Sequence, residues 1–287
     1  MKLVFFTVLF LFHLKVLAIT GVSPISERDF MLPGPQHSVV GFVIHLKEIR
    51  TNRIVANNYC TGTILEERII LTAAHCFADS IPGFRRQIIL SMWHDLHESH
   101  IYREAISEKQ IIKHPSYKSS KDPNSIDLAV VMLASPLPSI AKPASLEGLD
   151  SKTRDEISSL TILGYGSSTL NSNTQTGNDW GSLRIARNSQ IHIDDEQNLI
   201  QLQQTHQSGI CKGDSGSPAI IEENGEYKVI GIANTVTGKL SDQDKDLILA
   251  RGFQEFLDRN PQVDYCKGQG FFIDIRTHLD WIKSFLS

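Results

Sequence analysis

Gly209-Ile210-Cys211-Lys212-Gly213-Asp214-Ser215-Gly216-Ser217-Pro218 is the stretch on which the interpretation of this chain depends. Its centre, Gly-Asp-Ser-Gly, is typical of a serine presented for acyl transfer. Such a serine needs a base that takes its proton and donors that stabilise the oxyanion formed on the attacked carbonyl. Because Gly213 has no Cβ, the backbone can turn tightly and bring the N–H groups of Gly213 and Ser215 to one point, an oxyanion hole. A Gly/Ser turn between strands is the alternative for this stretch alone.

Two upstream segments supply a candidate base and a group to orient it. His75 closely follows the apolar run 69–71, which predicts a buried strand. An imidazole titrates near neutral pH, so His75 can accept and return a proton. Asp127 leads into another apolar run, 128–131, and a carboxylate buried there needs a partner. Pairing of Asp127 with one imidazole N–H would fix the tautomer of His75 and stabilise the imidazolium.

The chain resembles the trypsin/chymotrypsin-type (S1 family) serine proteases. The order His75, Asp127, Ser215 is that family's order and differs from the orders of subtilisins and α/β-hydrolases. The resemblance covers roughly residues 36 to 286. Secondary matches follow in the expected sequence: Ile112-Lys113-His114-Pro115-Ser116-Tyr117, Gly164-Tyr165-Gly166, Gly270-Phe271-Phe272-Ile273-Asp274-Ile275 and Leu279-Asp280-Trp281-Ile282.

The resemblance implies an all-β fold of two antiparallel six-stranded β-barrels with a C-terminal α-helix. Short apolar stretches separated by turn residues fit this division. Leu279, Ile282 and Leu286 stand at helical spacing and predict the same helix. We expect the following parts: first barrel 37–134, inter-barrel linker 135–159, second barrel 160–276 with an insertion at 238–264, and helix 277–287.

The N-terminus is typical of a secretory signal peptide over residues 1–18. An apolar stretch that is short for a membrane span precedes the small-residue site at 16–18. We therefore expect a secreted, extracellular protein whose four cysteines form disulfides, and four cysteines allow three pairings. The resemblance implies the pairs Cys60–Cys76 and Cys211–Cys266.

Cleavage after the signal peptide would expose Ile19 at the start of the N-terminal segment 19–36. In the resembling family a new N-terminal Ile or Val pairs with the aspartate that precedes the nucleophile. The resemblance thus implies an ion pair between Ile19 and Asp214. The usual basic cleavage site followed by Ile-Val-Gly-Gly is absent. A disordered leader, or a propeptide cut elsewhere, is the alternative for this segment.

The resemblance also places a primary specificity pocket beside the serine. Gly209 would form its floor, Thr235 and Val236 its mouth, and Gly270 its opposite wall. Trypsin-like enzymes carry an aspartate at the floor to pair with Lys or Arg, and this chain does not. We expect an uncharged substrate pocket for small or medium apolar side chains. The insertion at 238–264, at the rim, would restrict the substrate, block it or dock a partner.

Charge and histidine spacing add no further partner. The formal net charge of −4 and the sequence pI near 6.3 give no reason to expect nucleic acid or an anionic membrane. The spacing of His94, His97 and His100 suits a metal site on a helix. A strand or loop is favoured there, so we expect no metal and no cofactor.

A secreted serine endopeptidase acting through an acyl-enzyme is the leading interpretation. The resemblance implies a protein or peptide substrate, a serpin or other protease inhibitor as a second partner, and a monomer. The alternative is a non-catalytic homologue, a secreted binding or cofactor protein that keeps the fold. Retention of His75, Asp127 and Ser215 favours the enzyme, whereas the missing activation site favours the alternative.

Overall fold

A computed structural model describes residues 23–77, 81–119, 122, 125–149, 157–168, 180–205, 207–237 and 264–287. The predicted signal peptide, Ile19 and the insertion up to residue 263 lie outside the described residues. None of the helices in the described ranges is long and apolar enough to cross a membrane.

The first barrel is built from one antiparallel sheet. Its strands are β1 (Val39–Glu48), β2 (Ile54–Glu66), β3 (Ile69–Thr72), β4 (Phe84–Met92), β5 (Tyr102–Ile106), β6 (Ile111–Lys113) and β7 (Ala129–Met132). Their spatial order is β5-β4-β1-β2-β3-β7-β6. β5 and β6 lie at opposite ends of this order, yet in the sequence they flank a 3-10 turn at Glu108–Gln110. Because one short stretch of chain joins the two ends, the sheet must curl toward a barrel.

The second barrel repeats this arrangement. Its strands are β8 (Leu160–Gly164), β9 (Arg184–Asn188), β10 (Ile191–Asp194), β11 (Leu199–Gln203), β12 (Pro218–Glu223), β13 (Glu226–Thr237) and β14 (Gln269–Asp274). The order is β10-β11-β14-β13-β12-β8-β9, so β9 and β10 are adjacent in sequence but lie at opposite ends. The predicted all-β fold is confirmed. Each sheet has seven strands where six were expected, because β5 and β6 in one sheet, and β9 and β10 in the other, are separate short strands at opposite ends of the sheet.

The strands next to the candidate base and its orienter are buried on both faces. In β3, Ile69 and Leu71 pack into one hydrophobic cluster and Ile70 packs into the other. In β7, Val130 and Val131 divide in the same way. Successive side chains of a strand point to opposite faces. The continuous apolar runs of the sequence therefore mark strands that lie between two cores.

Two short α-helices flank the sheets. α1 (Glu27–Phe30) begins at Ser26, which forms a capping box with Asp29, and its Phe30 is fully buried. α2 (Leu279–Lys283) follows a 3-10 turn at Ile275–His278. α2 is shorter than the helix expected over 277–287. The residues after it form i→i+3 hydrogen bonds, from 285 to 282 and from 286 to 283, which tighten the last turn.

Candidate active site

The ends of β3 and β7 bring His75 and Asp127 together. Thr72 pairs with Ala129 across the two strands, so the chain leaving β3 passes beside the chain entering β7. His75 lies in a 3-10 helix, Ala74–Phe77, and its backbone N–H donates to Asp127 Oδ1 at 2.8 Å. The adjacent disulfide Cys60–Cys76 ties this turn to β2. The position of His75 is therefore fixed by a covalent bond and a hydrogen bond.

The three side chains predicted as a catalytic triad form one hydrogen-bonded line. His75 Nδ1 lies 2.5 Å from Asp127 Oδ2, and His75 Nε2 lies 2.8 Å from Ser215 Oγ. Because a carboxylate only accepts, Nδ1 carries the ring proton, and in the neutral ring Nε2 accepts from the Ser215 hydroxyl. Asp127 is 2% exposed, whereas the side chain of His75 is 24% exposed. The imidazole of His75 is thus partly accessible to solvent, whereas the carboxylate of Asp127 is buried.

The loop that carries Ser215 adopts turns that favour glycine. The φ angle is 97° at Gly213 and 88° at Gly216, in the left-handed region. A Cβ on Gly216 would lie 2.0 Å from the carbonyl oxygen of Thr61. Neither the Gly213 N–H nor the Ser215 N–H donates to another group in the described part of the chain. Both of the predicted oxyanion-hole donors are therefore available to a ligand oxygen.

Asp214, which precedes the candidate nucleophile, is fully buried. Its Oδ1 accepts the Gly166 N–H and its Oδ2 accepts the Cys211 N–H, each at 2.8 Å. Cys211 forms a disulfide with Cys266, which is the pairing implied by the resemblance. Ile19, the predicted ammonium partner of Asp214, lies outside the described residues.

Three buried threonines near the same loop were missed from the sequence: two of them bond to the loop, and the third bonds to one of these two. Thr61 Oγ1 donates to the carbonyl of Gly213 at 3.4 Å and accepts the N–H of Tyr165 at 3.1 Å. Thr63 Oγ1 donates to another carbonyl of the loop at 3.3 Å, and Thr72 Oγ1 donates to the carbonyl of Thr61 at 2.7 Å. Threonine is common in strands, so its presence in β2 and β3 gave no signal of this role.

The four residues predicted to form the specificity pocket do not all have the same surroundings. Val236 and Gly270 are directly paired between β13 and β14. Gly209 and Gly270 are both buried against the side chain of Gln204, which no sequence motif indicated. Thr235 is exposed and lines the cleft beside His75.

A cleft of about 840 Å³ opens beside His75. Its size lies within the range of ligand-binding pockets. Asp122 and Glu196 add negative charge to it, and Asp122 forms an ion pair with Lys118 at 3.4 Å. The other polar side chains of the lining include Ser119, Ser125, Gln197, Asn198 and Asn234.

His278 lines the same cleft and packs against His114, with the ring centroids 5.4 Å apart. Burial lowers the pKa of His278, the nearby His114 lowers it further, and the charge of Asp274 opposes the shift. Burial also lowers the pKa of His114. His278 Nε2 is buried and has no hydrogen-bond partner among the described residues. Burial and the charge of a neighbouring imidazolium both favour the neutral form of His278.

The three histidines of residues 94–100 make separate contacts. His94 Nε2 lies 3.2 Å from a carboxylate oxygen of Glu98, and His97 Nε2 lies 2.6 Å from the carbonyl oxygen of Trp180. Burial lowers the pKa of His100. In the described ranges, His, Cys, Asp and Glu side chains do not form a group of three or more that would hold a metal ion.

Comparisons with known proteins relate the chain to one family. The family model described as Trypsin matches residues 41–257. The chain is 26% identical over 211 residues to chymotrypsin-like elastase family member 1 of Bos taurus, covering 62% of this chain and 68% of that protein. It is 23% identical over 255 residues to a trypsin of Simulium vittatum, covering 81% and 94%. It is also 32% identical over 81 residues to the venom peptide isomerase heavy chain of Agelenopsis aperta, but covers only 32% of that protein.

Proposed function

The chain belongs to the trypsin family, and we propose that it is a secreted serine endopeptidase that hydrolyses peptide bonds through an acyl-enzyme. We assign Ser215 as the nucleophile, His75 as the general base and acid, and Asp127 as the residue that orients His75. The observation that carries the assignment is the unbroken hydrogen-bonded line from Ser215 Oγ through the imidazole to Asp127, with distances of 2.8 and 2.5 Å. Such a line is what activates a serine at neutral pH.

Acylation uses Ser215, His75 and the two backbone N–H groups in turn. Ser215 Oγ attacks the scissile carbonyl carbon while His75 Nε2 takes the hydroxyl proton. The carbonyl electron pair moves onto oxygen, where the N–H groups of Gly213 and Ser215 stabilise the oxyanion. When the oxyanion collapses, the C–N bond breaks and His75 gives its proton to the leaving amine. Ser215 is left as an ester of the acyl half of the substrate.

Deacylation repeats the sequence with water. His75 Nε2 takes a proton from the water as its oxygen attacks the ester carbon. The second oxyanion collapses, the bond to Ser215 Oγ breaks, and His75 returns the proton to Oγ. The products are a carboxylic acid and the free serine. Throughout, Asp127 keeps the ring proton on Nδ1 and stabilises the positive charge of the imidazolium.

We further propose that removal of the signal peptide exposes Ile19, whose ammonium pairs with Asp214. The full burial of the Asp214 carboxylate supports this pairing, since a buried negative charge is stabilised by an opposite charge beside it. Six residues after Ile19, the chain is bonded to the second barrel: the Ile25 N–H donates to the carbonyl of Leu183 at 2.9 Å. A propeptide cut at another site, or a disordered leader, is the alternative route.

We propose a substrate preference that is not trypsin-like. The residue at the proposed pocket floor is Gly209, so there is no carboxylate at that position to pair with Lys or Arg. Thr235, Val236 and Gly270 complete an uncharged site for small or medium apolar side chains. Protein or peptide substrates, inhibition by a serpin or similar protein, and a monomeric state belong to the same proposal.

Labelling of the secreted protein with a small alkyl fluorophosphonate tests this function. The full chain with its own leader is expressed in a secretory host, and its intact mass is recorded with and without the reagent. We expect one adduct on the wild type and none on Ser215→Ala. The same spectrum gives the first residue of the mature chain, so an adduct on a chain that starts at Ile19 would support activation by signal-peptide removal.

Two other results would change the proposal. A folded protein that starts at Ile19 and takes no label would favour the non-catalytic homologue, a binding or cofactor protein. A labelled protein that starts further along the chain would keep the endopeptidase and overturn the role of Ile19.

A further inference from the structure

Gln204 occupies the space at the base of the proposed specificity pocket. It directly follows β11, and its backbone N–H donates to the carbonyl of Gly268 at 2.9 Å. The residue is 0% exposed although its neighbour Gln203 is exposed. A long polar side chain that is fully buried has to be held by hydrogen bonds.

The side chain of Gln204 fills the positions into which residues 209 and 270 would project. A Cβ on Gly209 would lie 2.1 Å from Gln204 Cδ, and a Cβ on Gly270 would lie 2.1 Å from Gln204 Oε1. Both distances are far below van der Waals contact. The two glycines therefore leave room for the amide of Gln204 and not for an open cavity.

Hydrogen bonds fix this amide in one orientation. Gln204 Nε2 donates to the carbonyl of Ile210 at 2.9 Å and to the carbonyl of Cys266 at 2.7 Å. Gln204 Oε1 accepts the N–H of Ile210 at 2.9 Å. Both protons of the amide nitrogen are used, so the amide has no donor left for a substrate carboxylate. It carries no charge for a substrate cation.

We propose that Gln204 determines the P1 specificity by closing the floor of the primary pocket, so that only small uncharged side chains enter. This rests on the proposed function, since P1 has meaning only for a peptidase. It restricts the proposed P1 preference to small side chains, because medium apolar side chains would collide with the amide of Gln204. Gly, Ala and Ser are the residues expected at P1.

Peptide substrates that differ only at P1 test this assignment. The series carries Gly, Ala, Val, Leu, Phe or Lys at P1, and kcat/KM is measured for the secreted wild type and three variants. Gln204→Ala opens the floor. Gln204→Met keeps the length and approximate volume of the side chain without its hydrogen bonds. Gln203→Ala, one position earlier and exposed, is the matched control.

We expect the wild type to cleave after Gly, Ala and Ser-sized residues and to reject Phe and Lys. In Gln204→Ala the ratio of kcat/KM for Leu to that for Ala should rise at least about tenfold, because even one methylene in a pocket changes discrimination by roughly 10- to 200-fold. Gln204→Met and Gln203→Ala should keep the wild-type preference. A wild type that prefers Phe or Lys, or an unchanged Gln204→Ala, would overturn the inference while fluorophosphonate labelling leaves the proposed function intact.

Binding of indole reports on the pocket without turnover. Saturation-transfer NMR with indole should show binding to Gln204→Ala and none to the wild type, whether or not the serine takes a label. Displaceable binding of indole to the wild type, blocked by a small boronic acid at the active site, would contradict a closed floor. If Gln204→Ala does not fold, Gln204→Asn, which keeps the amide and shortens the side chain by one methylene, replaces it. That variant should accept Val better than the wild type does.

Discussion

The first-barrel side and the pocket side of the proposed site use their polar groups in different ways. On the first-barrel side, His75 bonds to both Asp127 and Ser215, and the imidazole is partly exposed. On the pocket side, the amide of Gln204 bonds to backbone groups and is completely buried. The first arrangement can move a proton, since its central group is both acceptor and donor. The second arrangement fixes the Gln204 side chain at the base of the proposed pocket.

The difference teaches where chemistry and selectivity reside in this fold. Two of the proposed catalytic residues, His75 and Asp127, follow or precede strands that pair directly, β3 and β7, so their separation is set by the sheet. The proposed pocket floor instead depends on the side chain of Gln204, which contacts Gly209 and Gly270 in two other segments of the chain. A change on the first side should therefore alter the rate for every substrate. A change on the second should alter which substrate is chosen.

Asp127→Asn is expected to have the largest effect. The amide would donate toward His75 Nδ1, favour the wrong tautomer and leave Nε2 unable to take the proton of Ser215. The same change in the trypsin-type triad lowers kcat about 10⁴-fold, and we expect a fall of that size for all P1 residues alike. Steady-state kinetics with the P1 series would measure it, and thermal unfolding would verify the fold. If the fall in kcat differs between P1 residues, the first-barrel side also affects substrate choice, and the two sides do not have separate roles.

Thr61→Val should have the next largest effect. Valine keeps the shape of the side chain but removes the bonds of Oγ1 to the carbonyl of Gly213 and the N–H of Tyr165, both in buried surroundings. An unsatisfied buried group costs about 1–3 kcal/mol of unfolding free energy. Because Gly213 is one of the proposed oxyanion donors, we also expect kcat to fall several-fold with KM little changed.

Thr61→Ser is the matched control, since it keeps the hydroxyl and should restore kcat. Urea unfolding gives the stability change, and initial rates give kcat and KM separately. If Thr61→Val lowers stability while kcat is unaffected, Thr61 has a structural role and does not position the loop.

Much of the first-barrel side could be predicted from the sequence, because its residues stand in short contiguous patterns. The apolar runs before His75 and after Asp127 predict strands, and the pairing of those strands brings the two residues together. Gly213 could be assigned a tight turn because its chemistry allows one. Such inferences need only local sequence and strand pairing.

The pocket side could not be predicted in the same way. Gln204 has no motif around it, and its side chain contacts residues that follow it closely, such as Ile210, and residues far along the chain, such as Cys266. The hydrogen bonds of the Thr61 side chain likewise join it to residues distant in the sequence, Gly213 and Tyr165. The seventh strand of each sheet also depends on how the sheet curls, a property of the whole barrel that no single segment contains.

The pH dependence of stability should give the smallest effect, and it tests a histidine of the cleft that lies beyond both barrels. His278 ends the 3-10 turn after the last strand of the second barrel, and it lines the cleft together with Asp127. Burial holds the pKa of His278 below its ordinary value, which is about 6.5. Above that value the imidazole is neutral in both states and contributes no pH dependence. As the pH falls below it, the unfolded chain binds the proton first, so the unfolding free energy decreases until the lowered folded pKa is reached.

His278→Leu removes one such group and should flatten this slope between pH 6.5 and 5. The change is limited to about 1.4 kcal/mol per pH unit for a single group. Some slope should remain, because burial also lowers the pKa of His114. Urea unfolding at pH 7.5, 6.5 and 5.5 would measure it, with fluorophosphonate labelling at pH 7.5 to verify the active site. An unchanged slope would mean that His278 is solvated in solution, and the cleft would then be more open on its second-barrel side than its packing against His114 indicates.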